Sequence, residues 1–399
     1  MTILRHIPFT VPFDDRVFLF RQCVKEDRLT TGAPQQSSAF YPRPIRRDHL
    51  SDDGFDYFCS AETAALKGRI RVTFLDRDGH QEQGLDGGGL WKEFVVTLLE
   101  ESFDPERGLW AKNEEQELYP YPQKFAREAR QLKWYKFIGR MLGKALYDNI
   151  LIETVFAKFF LAKWVGESGG LDSLASLDPY FHRALVALKQ WESDDCLDPD
   201  TRFDIVDIDL GQPDTIELIP NGSNIPVTKD NRIRYIELVC KHRLDDQIAE
   251  QTQAFLAGMR DLIELKWLKM FDSSELQQLL GGVDKDVDVD DWMRNTSYEG
   301  GFSINDPCVK TFWTIVRSLD HQQKRLLLRF VTSCSRPPLL GFVELKPKFA
   351  IRCSSDDQSR LPTAATCFST LKLPRYKSAD VMRDKLLQSI TANAGFDLS

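Results

Sequence analysis

The residues of this chain best suited to covalent chemistry are its eight cysteines, at positions 23, 59, 196, 240, 308, 334, 353 and 367. They form no CxxC pair and no cysteine and histidine group at zinc-ligand spacing, so no metal centre is expected. The scatter suits reduced thiols of the cytosol or nucleus. Cys367 stands apart because of its setting, Leu361-Pro362-Thr363-Ala364-Ala365-Thr366-Cys367-Phe368, near the end of the chain. By composition alone a lone cysteine among Thr, Ala and Phe more often reads as a small buried hydrophobe than as a nucleophile.

The histidines lie at positions 6, 49, 80, 182, 242 and 321, and none follows Cys367. That order disfavours a papain-type hydrolase, and no nucleophile elbow supports a serine hydrolase. A thiol that only accepts an already activated acyl group needs less help. Exchange between two thioesters is close to isoenergetic, and an unperturbed thiol is already a few per cent thiolate near neutral pH. Gly84 to Phe94, GLDGGGLWKEF, is glycine-rich without the dinucleotide fingerprint. Gly139 to Ala145, GRMLGKA, falls short of a phosphate loop by one spacer residue and ends in Ala, so its glycines are expected to let helices approach. No cofactor is expected.

These residues need elements to hold them. A helix is predicted near Asp15 to Glu26, a half-buried strand over Arg69 to Leu75 and a helix over Leu90 to Glu101. The clearest helix covers Leu132 to Asn149, where Trp134, Phe137, Ile138, Met141, Leu142 and Ala145 follow the period of one buried face. Another is predicted over Pro179 to Trp191. Ile216 to Val227 reads as two short strands about an Asn221-Gly222 turn, and helices resume over Arg232 to Leu280. Glu299, Gly300 and Gly301 are the best boundary candidate, a hinge ahead of a helix with Asp306 as cap and Pro307 in its first turn. Asp320 with Gln323 resembles a capping box. Strands are predicted over Phe342 to Leu345, Lys348 to Arg352 and Cys367 to Leu373. A last helix, Ser378 to Asn393, should bury Met382, Leu386 and Ile390 before Gly395 stops it.

At 399 residues the chain has room for two or three cores. The net charge of -8 disfavours nucleic acid as a partner. Arg43, Arg46 and Arg47 are followed by Asp48, Asp52 and Asp53, which reads as a mixed-charge surface. The amino terminus is interrupted by Pro8 and Pro12, and the apolar run Ile150 to Val165 by Glu153, Lys158 and Lys163. Neither a signal peptide nor a membrane span is expected.

The chain resembles HECT-type ubiquitin ligases in five separated motifs. Leu85 to Gly89 with Lys92-Glu93-Phe94 is similar to an LDxGG…EF element, Phe137 to Asp148 to the family's central helix, and Pro226-Val227-Thr228 with Asn231-Arg232 to its IPVTxxNR element. Gln253 to Gly258 resembles its QxxAFxxG helix, and the run to Cys367 its catalytic loop. FVTSCSRPPLLGF and the GFDLS ending resemble most the proteasome-associated, chain-elongating branch. The resemblance implies an α+β, bilobal fold: a flank over residues 1–60, a large, mainly helical N-lobe over 61–298, a hinge over 299–302 and a small α/β C-lobe over 303–399. A conjugating-enzyme-binding subdomain would fall at about 165–240, with Phe181, Leu185, Leu188, Trp191 and Tyr235 in its groove.

On that resemblance Cys367 carries ubiquitin as a thioester, accepted from a conjugating enzyme and passed to a lysine of a substrate or a growing chain. Thr366 would hydrogen-bond near the thioester, Phe396 would anchor the C-lobe, and Asp397 would orient or deprotonate the amine. The implied partners are ubiquitin, the conjugating enzyme, protein substrates and the proteasome. The alternatives are a cysteine hydrolase acting on ubiquitin conjugates and an inert adaptor for a conjugating enzyme. Two positions depart from the family: Ala365 stands where many members have His, and Arg375 where an acid is usual.

Overall fold

The computed structural model describes residues 7–31, 44–76, 78–82, 89–191, 201–209 and 211–394, with Cys367, Asn393 and Ala394 given by their backbone only. The chain divides into two compact units. One comprises Leu99–Lys144 and Thr154–Gln277 with the described part of Met1–Val11; the other comprises Pro12–Leu98, Ala145–Glu153 and Gln278–Ser399. No helix among the described residues is long and apolar enough to cross a membrane.

The first unit is built on helices. Its interior centres on Trp110, ringed by Phe103, Tyr135, Phe156, Phe160 and Phe255 at centroid separations of 5.1–5.8 Å, mostly edge to face. The helix Ala129–Tyr147 buries Phe137, Ile138, Met141 and Leu142 as its spacing requires. It lies so close to the helix Ala249–Arg260 that a Cβ on Gly139 would sit 1.9 Å from the Phe255 carbonyl oxygen, and one on Gly258 1.8 Å from that of Lys136. The glycines of the GRMLGKA run therefore serve packing. The IELIPNGSNIPV segment departs from the two strands expected of it. Only Gln212–Glu217 is a strand, and it pairs antiparallel with Asp204–Asp209. Asn221 takes φ +61° and leads into a short 3-10 turn, Gly222–Asn224, which prevents a second strand from following.

The second unit contains the helix Phe13–Thr30, longer at both ends than expected, with Val17, Phe20 and Val24 buried. Of the expected strand Arg69 to Leu75, Phe74–Leu75 pairs in parallel with Ile45–Arg46 and Ile70 makes an isolated bridge. Arg46 meets Asp53 at 2.7 Å and Arg47 meets Glu82 and Glu93 at 2.6 Å, so these two arginines are matched by acids, while Arg43 lies outside the described residues. A four-stranded sheet follows. Ala350–Cys353 sits between Ser297–Glu299 and Thr370–Leu373, parallel to both, and Thr363–Ala365 pairs antiparallel on the far side of Thr370–Leu373. Helices Pro307–Ser318, His321–Thr332 and Ala379–Ala394 cover it. Asp306 caps the first through the Cys308 N–H at 2.9 Å, Asp320 and Gln323 form the capping box, and Met382, Leu386 and Ile390 are buried. Phe342–Glu344 forms a 3-10 turn where a strand was expected. Phe342 stacks flat on Trp292 at 5.0 Å, so its neighbours follow the ring into the core and do not extend along the sheet.

Glu299, Gly300 and Gly301 lie within this second unit. Glu299 ends the strand Ser297–Glu299, while Trp292, ahead of it, belongs to the same hydrophobic cluster as Phe312, Leu371 and Leu386. Gly300 and Gly301 take φ of +64° and +87°, and a Cβ on Gly300 would come within 2.9 Å of the Cys353 carbonyl oxygen. The glycine pair is a tight turn against the sheet.

Candidate functional site

Ala365 is opposite Thr370 and Thr363 opposite Lys372 in the antiparallel register, so residues 366–369 close a hairpin. Cys367 occupies the middle of the 3-10 turn Thr366–Phe368 at its tip. The strand expected from Cys367 onward begins instead at Thr370, because Ser369 takes the left-handed conformation at φ +46° and reverses the chain. Ser369 is buried. Its N–H donates to the Thr366 carbonyl at 3.1 Å, its carbonyl accepts from the Ala350 N–H at 3.0 Å, and its Oγ has no partner. The Thr370 hydroxyl donates to the Phe368 carbonyl at 3.0 Å. The turn packs on the helix His321–Thr332. Three hydrogen bonds thus fix the tip, while Thr366 is half-buried and Phe368 stays 39% exposed.

Phe368 is a residue that sequence reasoning missed. An exposed aromatic offers apolar contact to anything that approaches the hairpin tip. The strand expected over Cys367 to Leu373 gave it no separate role, and the left-handed Ser369 that follows ends that strand short of it.

Three of the cysteines whose side chains are described are buried in surroundings unsuited to a nucleophile. Cys23, Cys59, Cys240, Cys308, Cys334 and Cys353 are not in disulfides. Burial pushes the Cys334 and Cys240 thiols up to about 11, and raises Cys308 as well. Such thiols are protonated near neutral pH and poor nucleophiles. Cys196 lies outside the described residues.

Arg375, the departure from the usual acid, has a structural task. Its guanidinium forms an ion pair with Asp306, donates to the Gly301 carbonyl at 3.3 Å and lies 4.8 Å from the centroid of the Phe302 ring. The side chain therefore ties the end of the sheet to the N-cap of the helix Pro307–Ser318.

Of the expected groove residues, three are interior. Leu185 is 3% exposed and Leu188 and Tyr235 are also buried, the last edge-on to Phe203 at 5.5 Å. Phe181 and Trp191 are half-buried, and the Arg243 guanidinium lies 5.6 Å from the Phe181 ring centroid. Asp178 caps the helix Pro179–Lys189 by accepting from the Phe181 N–H at 2.8 Å. The neighbouring Tyr180, 75% exposed, and Ile233, also exposed, present apolar surface that helical periodicity did not single out. Phe396 and Asp397 lie outside the described residues.

Residues 96–399 match the family model for the HECT-domain (ubiquitin-transferase). Over its full length the chain is 41% identical to a probable E3 ubiquitin protein ligase of Schizosaccharomyces pombe, covering 39% of that protein. It is 37% identical to ubiquitin-protein ligase E3B of Homo sapiens and 36% to E3 ubiquitin-protein ligase HUL5 of Saccharomyces cerevisiae, covering 40% and 45% of each. The chain thus spans about two fifths of the length of these relatives.

Proposed function

Because the chain belongs to the HECT-domain (ubiquitin-transferase) family, we propose that it is the catalytic part of a ubiquitin-protein ligase with Cys367 as acceptor. The Cys367 thiolate attacks the thioester carbonyl between a conjugating enzyme and ubiquitin, and the conjugating enzyme's thiolate leaves. A lysine amine of a substrate or of ubiquitin then attacks the Cys367 thioester. That amine loses its proton, and the Cys367 thiolate leaves as the isopeptide bond forms. The observation that carries the assignment is the backbone position of Cys367 at a braced hairpin tip beside exposed Phe368; Cys240, Cys308 and Cys334 are buried with raised pKa and so make poor rival acceptors.

Thr366, next to Cys367 in sequence, hydrogen-bonds near the thioester. Phe396 and Asp397 serve the second step, one anchoring the Cys367-bearing lobe and the other orienting or deprotonating the amine. Docking of the conjugating enzyme uses the surface about the helix Pro179–Lys189, with Phe181 and Trp191 joined by Tyr180 and Ile233, while Leu185, Leu188 and Tyr235 hold that surface in shape. The lobe division lies before Val287, because Val287, Trp292 and the strand Ser297–Glu299 are built into the same core as the later helices. Substrates, chain growth, association with the proteasome and residence in cytoplasm or nucleus belong to the same proposal.

The test is incubation with activating enzyme, conjugating enzyme, ATP and ubiquitin. The expected result is a reductant-sensitive ubiquitin adduct that is lost in Cys367→Ala and retained in Cys353→Ala. Undiminished loading of Cys367→Ala would falsify the assignment. A hydrolase would remove conjugates in the same assay, and an adaptor would do neither.

A further inference from the structure

The second unit encloses a cavity of about 1080 Å³ that the two transfer steps do not use. Its wall comes from the helix Phe13–Thr30, from residues 67–70, 91–92 and 147–151, and from the segment 328–347. Two of its cations are matched by acids: Arg28 meets Asp148 at 2.9 Å, and Lys67 meets Asp27 at 2.8 Å. Two more are held mainly by backbone. Lys92 donates to the Thr332 carbonyl at 2.6 Å, with Glu153 in its vicinity, and Arg336 donates to the Gly281 and Gly282 carbonyls at 3.2 Å, with Asp284 nearby.

The remaining cations have less. Arg21 gives one nitrogen to the Leu146 carbonyl at 3.0 Å, but its Nε is buried without a partner among the described residues. Burial lowers its pKa to about 10, with Glu344 as a weaker opposing influence. Lys25, Arg69 and Lys346 line the same cavity, are exposed, and form no ion pair with a described residue. Besides Asp148, Glu344 is the carboxylate this wall supplies. Uncompensated cations facing one concavity repel one another, and the one buried among them is desolvated as well. A bound anion reverses both effects.

We propose that this cavity binds a multiply phosphorylated small molecule of the inositol polyphosphate class, held by Arg21, Lys25, Arg69 and Lys346. Its volume reaches the upper end of small-molecule sites, roughly 300–1,000 Å³, and exceeds what a single phosphate fills. Guanidinium forks and lysine ammonium groups are the side chains that recognise phosphate. A compact polyphosphate brings several negative charges to four converging cations, whereas an extended acidic peptide spaces its carboxylates along a chain. Lys346 lies in the segment leading to Cys367 and Lys25 on the helix Phe13–Thr30, so a ligand held by both restrains that segment.

Calorimetric titration of the intact chain with inositol hexakisphosphate tests the proposal. One saturable site is expected, weakened about 100-fold in Lys25→Glu with Lys346→Glu, since charge-assisted phosphate contacts are the strong ones. Both side chains are exposed, so the double variant should melt as the wild type does; if it does not, Lys25→Gln with Lys346→Gln replaces it. No saturable binding, or equal binding by the folded variant, overturns the proposal. Phosphatidylcholine vesicles carrying phosphatidylinositol bisphosphate distinguish a lipid headgroup from the free ligand. Competition of vesicle binding by hexakisphosphate supports one shared phosphate site, and vesicle binding that is indifferent to the variant places the phosphate contacts elsewhere and refutes it.

Discussion

The helix Pro179–Lys189 and the hairpin tip around Cys367 are both apolar in sequence, and the fold uses that character in opposite ways. On the helix, Leu185 and Leu188 point inward and are buried, leaving Tyr180 on the outside. At the tip, Ser369 reverses the chain and Phe368 remains in solvent. Helical period therefore marks what holds a surface in place. The residues that break the period, or precede it, are the ones left free to touch a partner.

The sharpest way to break this comparison is to put charge on the buried side of the helix. Leu185→Asp with Leu188→Asp is expected to cost on the order of 4 kcal/mol for each site and to abolish a cooperative melt. Tyr180→Ala should leave the melt unchanged and reduce receipt of ubiquitin from the conjugating enzyme. A normal melt for the double Asp variant would show that these leucines face a partner after all.

A second test concerns the glycine turn behind the sheet. Proline requires φ near -65°, whereas Gly300 and Gly301 take +64° and +87°. Replacing both with Pro is therefore expected to destabilise the Cys367-bearing core by roughly 3 kcal/mol or more. Chemical denaturation measures this directly. Unaltered stability with slower turnover would instead restore a hinge at these positions.

The tip itself offers a milder change. Ser369→Val places a β-branched residue in the left-handed region and should cost about 1–2 kcal/mol. Ser369→Gly relieves the backbone and should keep both the fold and ubiquitin loading. If Val and Gly behave alike in denaturation and loading, the tip is not held in the left-handed form.

The smallest effect concerns pH. His321 lies 3.1 Å from Asp284 and 3.3 Å from Asp286, which raise its pKa above 6.5, while His321 lowers theirs. A raised imidazole pKa stabilises the fold below the unfolded value, and this is lost as pH rises through the folded value. The lowered carboxylates contribute above their unfolded pKa, and that is lost as pH falls through the folded one. The melting difference between wild type and His321→Gln should therefore be largest at mildly acidic pH and shrink toward both strongly acidic and alkaline conditions. All three groups are solvent-exposed, so the shift should be small. A difference that is flat with pH would remove the ion pairs from the account.

Much of this was readable from the chain. Local signals carried over intact: the Asp306 cap before Pro307, the Asp320 and Gln323 capping box, and the buried spacing of Met382, Leu386 and Ile390 depend on residues within a turn or two of one another. The choice of Cys367 was also made from the chain alone, on its neighbours and on the histidines that do not follow it. The glycines of the central helix were legible as sites of close approach, although only the fold shows that the approaching groups are the Phe255 and Lys136 carbonyls.

Tertiary structure decided the remainder, because it depends on groups far apart in sequence. Phe342 left its expected strand to stack on Trp292, fifty residues earlier. Gln212–Glu217 paired with Asp204–Asp209 instead of with the residues beyond Asn221, and Arg375 took up Asp306. Periodicity determines which residues share a face, but whether that face meets core or solvent depends on what packs against it. That is why the sequence alone marked Leu185 and Phe368 as equally apolar, and only the fold buried one and exposed the other.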